Sequence, residues 1–91
     1  MQINLRAFGE LKKRLGHQLT LPLDEGSEVG DLLRLIGEKL GAPDKLVSPE
    51  GEIAENLSVL VNGLSVNVGA GAREPLSDGD VVSLLPPAGG G

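Results

Sequence analysis

Val29, Leu32, Leu33, Ile36 and Leu40 recur at i, i+3, i+4, i+7 and i+11, the spacing of one apolar stripe along a helix. A helix with a single apolar stripe has to lie on something. Before and after it, apolar residues alternate with polar ones, the period-two mark of strands with one buried face. One striped helix set among short strands constrains the chain to a two-layer α+β domain, with the helix laid across a mixed sheet. At 91 residues there is length for one such domain and one modest core.

Ile3, Leu5 and Ala7 alternate with Gln2, Asn4 and Arg6, and Phe8 closes this first strand. Gly9 and Glu10 open a short helix with Leu11 and Leu15 one turn apart and Gly16 as its left-handed cap. Leu19, Leu21 and Leu23 alternate with Gln18, Thr20 and Pro22, giving a second strand antiparallel to the first and, because of Pro22, at an edge. Ser27 is the expected N-cap of the main helix, with Glu28 and Asp31 in its first turn, and Gly41 and Pro43 stop it. Gly30 and Gly37 each cost about 1 kcal/mol against Ala inside a helix, so they predict close approach of helix to sheet. Residues 42–57 read as an irregular loop with a helical turn near Asp44 to Val47. Ser58–Val61 and Leu64–Val68 flank Asn62-Gly63, a type I′ hairpin signal. After the turn Ser77-Asp78-Gly79-Asp80, the nearly all-apolar Val81–Leu85 reads as a central strand.

Composition removes several functions. Phe8 is the one aromatic residue and the formal net charge is −5, so stacking on bases and neutralising phosphates are both poorly supported. No nucleic-acid partner is expected, and an acidic surface favours a basic protein. With no cysteine there is no disulfide, thiolate zinc site or catalytic thiol. His17, the only histidine, reads as a solvated loop residue and no metal site is expected. Gly69-Ala70-Gly71-Ala72-Arg73-Glu74 begins like a dinucleotide fingerprint but has Glu74 in sixth place and Pro75 where a helix should start. The acids at 50, 52 and 55 read as a wet loop edge. Met1-Gln2-Ile3-Asn4 has neither the basic start nor the apolar run of a signal peptide, and no apolar stretch approaches the ~18–20 residues that cross a bilayer. The expectation is a cytoplasmic protein with no membrane contact. No pair of side chains is set for acid–base work, so no active site of its own is expected.

The chemistry is therefore sought in the last residues, Leu85-Pro86-Pro87-Ala88-Gly89-Gly90-Gly91. Pro86 and Pro87 lack an N–H for a sheet and end the strand at Leu85, dividing the chain into a domain over 1–85 and a tail over 86–91. Gly89, Gly90 and Gly91 lose much backbone entropy on ordering and bury nothing in return, which predicts a mobile tail held away from the domain. Fully extended, the six residues after Leu85 would carry the Gly91 carboxylate roughly 20 Å beyond the strand, far enough to enter another protein's active site. A glycine end taken alone is equally compatible with a terminus that has no role.

The run Pro75-Leu76-Ser77-Asp78-Gly79-Asp80, the apolar strand, Pro86-Pro87, Ala88-Gly89 and the closing Gly90-Gly91 resembles the C-terminal pattern of the ubiquitin-like sulfur carriers. It is most similar to the MoaD family, the small subunit of molybdopterin synthase. The strand through Phe8, the helix ending at Leu15-Gly16 and Val59-Leu60-Val61-Asn62-Gly63 extend the likeness, while the 42–57 loop is unmatched. The resemblance implies a β-grasp fold and a carrier subunit that binds no cofactor itself. A partner similar to the ubiquitin-activating enzymes would use ATP to adenylate the Gly91 carboxylate. A sulfur donor system would convert it to a thiocarboxylate, and the molybdopterin synthase large subunit would consume that sulfur. Gly90 and Gly91 present no Cβ, so an enzyme can close around them. Sulfur carried on the terminus would also explain a chain without cysteine.

Strand alternation points Leu60 and one of Leu84 and Leu85 away from the helix, as an apolar partner-binding patch beside the tail. Leu85 stands where the family usually has an aromatic residue. Four lysines, Lys12, Lys13, Lys39 and Lys45, carry no mark of an isopeptide acceptor. The pathway stays open at this point: carriers for thiazole synthesis, tRNA thiolation or protein conjugation share the pattern. A β-grasp binding module with no covalent chemistry is the alternative from another class.

Overall fold

The computed structural model describes residues 1–87. Five strands, β1 (Gln2–Ala7), β2 (Gln18–Pro22), β3 (Ser58–Val61), β4 (Leu64–Ser65) and β5 (Val81–Leu85), form one sheet in the order β2-β1-β5-β3-β4. A short helix α1 (Gly9–Leu15) joins β1 to β2, and the main helix α2 (Val29–Lys39) lies between the two hairpins in sequence. β5 runs parallel to β1 and antiparallel to β3, so the sheet is mixed and its last strand is its centre. This is the β-grasp, ubiquitin-like fold. Pro22 does end on the edge strand β2, where its missing N–H breaks no rung.

The stripe of α2 buries Val29, Leu32, Leu33 and Ile36 completely against Ile3, Leu5, Val59, Val82 and Leu84 from the sheet. A fully buried aliphatic side chain contributes about 1.5–3 kcal/mol relative to exposure, so this single interface is the main stabilising term. The helix starts differently from expectation. Glu28, not Ser27, is the N-cap: its N–H donates to the Asp31 carboxylate at 2.8 Å, and its own side chain accepts from the N3 backbone. Ser27 is committed elsewhere, its N–H to Asp24 and its carbonyl to Leu76, which anchors the helix start to the 74–76 segment.

Gly30 and Gly37 do mark close approach, but not to the sheet. A Cβ on Gly30 would stand 3.1 Å from the Ala72 carbonyl oxygen in the 3-10 turn Gly71–Arg73. One on Gly37 would stand 2.7 Å from the carbonyl oxygens of both Ala42 and Pro43. The chain after α2 folds back over its own helix at that point, and the Ala42 N–H donates to the Gly37 carbonyl at 2.8 Å.

Two further expectations are corrected. The second strand of the hairpin stops at Ser65 instead of reaching Val68. Beyond it the Asn67 side chain serves as the next rung, its Oδ1 accepting from the Val59 N–H at 2.9 Å and its Nδ2 donating to the Leu57 carbonyl at 2.8 Å. An amide side chain has the same donor and acceptor pair as a peptide group, so it continues the edge of β3 beyond the last backbone bond, from the Val66 N–H to the Val59 carbonyl at 3.0 Å. The loop over 42–57 holds no helical turn at 44–47. Val47 and Ile53 form an isolated antiparallel bridge, and Leu46, Val47 and Leu57 close the core from below, leaving Glu50, Glu52 and Glu55 exposed.

Candidate functional site

The site is built where β5 leaves the sheet. Its residues alternate strictly: Val82 and Leu84 are fully buried under α2, while Val81, Ser83 and Leu85 are half-buried on the opposite, outer face. Leu84 is thereby removed from the candidate partner-binding residues. It pairs with Val59 and Ala7, both buried, and is 0% exposed, so no partner can reach it in the folded chain. Leu85 and Leu60 are the pair on the outer face, both half-buried. Leu60 lies opposite Ser83 and Leu85 opposite Ser58, which makes the two leucines diagonal neighbours on adjacent strands, within reach of one another.

Next to them on the same face lie two residues that sequence reasoning did not assign to the site. Phe8 continues the outward parity of Arg6, and the Arg6 guanidinium carbon stands 5.8 Å from the centre of the Phe8 ring. The His17 ring meets Phe8 edge-on, with centroids 6.0 Å apart and planes at 85°. His17 is exposed, as a loop histidine should be, but it also props the aromatic ring beneath Arg6. The i, i+2 spacing of Arg6 and Phe8 was the available signal. Which strand lies beside them was not, because register is a tertiary property.

The first residue of the tail is not held off the domain. Pro86 is half-buried, and a Cβ on Gly9 would come within 3.0 Å of its Cγ. Gly9 has φ +58, a conformation that L side chains rarely adopt, so its lack of a Cβ serves both the turn into α1 and the seat for the proline. The Phe8 N–H donates to the Leu84 carbonyl at 3.2 Å, which ties the same corner to the end of β5. On the far side of this seat Pro86 and Pro87 line a groove of ≈ 270 Å³ with Leu11, Leu40, Leu46 and Leu57. Arg14 at its margin donates to the Leu40 carbonyl at 3.1 Å, completing a carbonyl at the end of α2. The remaining tail positions proposed from sequence, Ala88, Gly89, Gly90 and Gly91, lie outside the described residues.

The geometry thus provides a rigid exit. A central strand, fixed on both edges, ends between an outer face bearing Leu60 and Leu85 and a corner formed by α1. Among the described residues no helix is long and apolar enough to cross a membrane.

Residues 5–91 match the model of the ThiS family. Small archaeal modifier protein 3 of Haloferax volcanii is 36% identical over 93 residues, covering all of both chains. The solution structure of the Haloferax volcanii HVO 2177 protein superposes with a TM-score of 0.84 at 33% identity, covering 100% of this chain and 87% of that one. The complex of subunits 1 and 2 of the molybdopterin-converting factor from Helicobacter pylori contains a chain with a TM-score of 0.64 at 26% identity, with both chains covered in full.

Proposed function

The chain belongs to the ThiS family of ubiquitin-like sulfur carriers and modifiers, and from that premise we propose that it carries sulfur as a thiocarboxylate on Gly91 for molybdopterin synthesis. The carboxylate of Gly91 attacks the α-phosphorus of ATP in an activating enzyme, releasing pyrophosphate and leaving an acyl-adenylate. A sulfur nucleophile from the donor system then displaces AMP. The carrier contributes no acid or base; its part is to present the carboxyl group in line with phosphorus, which is a matter of position.

The observation that carries this reading is the exit geometry: the tail follows directly from the central strand, between the Leu60–Leu85 face and the Pro86 seat on Gly9. A partner that closes around Gly90 and Gly91 meets a rigid body on either side of them. Leu60 and Leu85, left half-buried beside Val81 on a sheet face whose other strand positions are mostly polar, suit such a contact. The molybdopterin branch in particular is supported by the closing run Pro75–Gly91 and by the likeness to a chain of the Helicobacter pylori complex, in which subunit 1 is bound to subunit 2. The large subunit of a molybdopterin synthase is accordingly the proposed acceptor of the sulfur.

The test is intact-mass spectrometry after incubation with an activating enzyme, ATP and a sulfur donor. One oxygen should be exchanged for sulfur, and deletion of Gly91 should abolish the exchange without altering the melting temperature. An unchanged mass with an enzyme active on another carrier defeats the reading. A second reading has its own observation, since the relative at 36% identity is named a modifier protein. Here a lysine amine replaces sulfur as the nucleophile on the acyl-adenylate and leaves an isopeptide bond. Trypsin cuts the carrier for the last time after Arg73, so tryptic peptides bearing the Glu74–Gly91 segment on a lysine would identify it.

A further inference from the structure

Of the four arginines, two serve the main chain and Arg73 is exposed in the 3-10 turn. Arg14 and Arg34 each donate to a backbone carbonyl, of Leu40 at 3.1 Å and of Ser48 at 3.4 Å, and so complete the main chain around the end of α2 and the following loop. Arg6 does neither this nor pair with an acid. Among the described residues its side chain makes no hydrogen bond and no ion pair, and its Nε is buried without a partner. Its row of the sheet explains why. Arg6 is flanked by Gln18 on β2 and Ser83 on β5, neither of which can neutralise it. Of the side chains that the five strands turn to this face, Arg6 is the only charged one, in a chain with 13 acids against 8 lysines and arginines.

A guanidinium in this setting is costly unless it is used. Its Nε is already desolvated, which removes one of five donors from water with nothing in exchange. It is also held in place: it lies over the Phe8 ring, which is itself propped by His17. A planar fork held over a ring loses less freedom on pairing than a free side chain, and arginine is enriched at the energetic centres of interfaces. Beside it on the β2 side is an open hollow of ≈ 280 Å³, lined by Asn4, Arg6, Gln18, Thr20 and Val81, with no acid in its wall.

We infer that Arg6 is the contact by which the outer sheet face recognises a carboxylate side chain of the activating enzyme, received in this hollow beside the Leu60–Leu85 patch. The inference rests on the carrier reading and adds the chemistry of the partner to it. The overall charge of −5 would lead one to expect a basic partner. This face reverses that locally: the enzyme surface that covers it presents apolar side chains to Leu60 and Leu85 and an aspartate or glutamate to Arg6. The ion pair would be desolvated by the surrounding contact, where a missing partner is most costly.

The experiment is ATP–pyrophosphate exchange by the activating enzyme as a function of carrier concentration, with wild-type protein and Arg6→Met, Arg6→Glu and Arg6→Lys. Arg6→Met keeps the apolar stem over Phe8 and should raise KM about tenfold, and Arg6→Glu about a hundredfold, with kcat within about twofold throughout. Arg6→Lys should recover part of the loss. A merely structural arginine would instead lower the melting temperature and leave KM unmoved; if Arg6→Met fails to fold, Arg6→Gln takes its place. KM within about twofold of wild type for both the neutral and the reversed variant overturns the inference while the carrier reading stands. Absence of exchange with wild-type protein defeats both.

Discussion

The two faces of the sheet are made by alternate residues of the same five strands, and their contents are opposite. Toward α2 stand Ile3, Leu5, Leu21, Val59, Val82 and Leu84, each nearly or wholly inaccessible. Away from it stand Asn4, Gln18, Ser58 and Ser83, with Leu60 and Leu85 half-buried among them and Arg6 over Phe8. Because the side-chain period of a strand is two, neighbouring residues in one strand serve unrelated ends. Stability is written in one set of positions, and the proposed recognition residues fall in the other. The clearest case is Leu84 and Leu85, the same side chain twice in succession, one at 0% exposure and one half-buried on the outer face.

That contrast can be broken most forcefully at Leu84. Leu84→Asp places a carboxylate at the centre of the core, and a loss of about 4–5 kcal/mol or more is expected, enough to unfold a domain of this size. Urea titration followed by circular dichroism measures it; a folded Leu84→Asp protein would mean that β5 can slip its register. A smaller effect is expected at the sheet edge. Asn67→Ala removes the side-chain rung that meets the Val59 N–H and the Leu57 carbonyl, and should cost about 1–3 kcal/mol, with faster hydrogen exchange at Val59. The outer face should show the least. Leu60→Ser and Leu85→Ser should change stability by no more than about 0.5–1 kcal/mol, yet raise KM for adenylation. If either variant loses as much stability as a core truncation, the outer face belongs to the core after all.

Much of this arrangement is legible in the amino-acid order. The stripe of α2, the alternation of β1 and β2, the Asn62-Gly63 hairpin and the central place of an all-apolar β5 follow from period and turn chemistry, and the fold class with them. What escapes has a common cause. Leu84 and Leu85 are indistinguishable by pattern because a strand of Val81, Val82, Leu84 and Leu85 has no polar alternation to set its parity. Ser27 loses the cap to Glu28 because Asp24 and Leu76, from opposite sides, claim its backbone. β4 is cut short by one side-chain amide, and the close contacts of Gly30 and Gly37 are with Ala72 and with the chain at 42–43 rather than with strands. Each is a contact between segments distant in sequence or a competition for one peptide group. Arg6 belongs to the same class: its residue type and parity were visible, but the absence of any neighbouring acid depends on the register of three strands.

β5 has one more consequence, and it concerns the order in which the protein comes into being. The β1–β2 hairpin and the β3–β4 hairpin make no rung with one another; β5 is the only strand that touches both. A chain emerging from the ribosome therefore holds two half-sheets and an uncovered helix until its last strand arrives, and closing a parallel pair between the two ends of a chain is a slow, non-local event. The residues that complete the core lead directly into Pro86 and the tail. A copy cut short before β5 thus lacks the strand that joins the two half-sheets and the tail together.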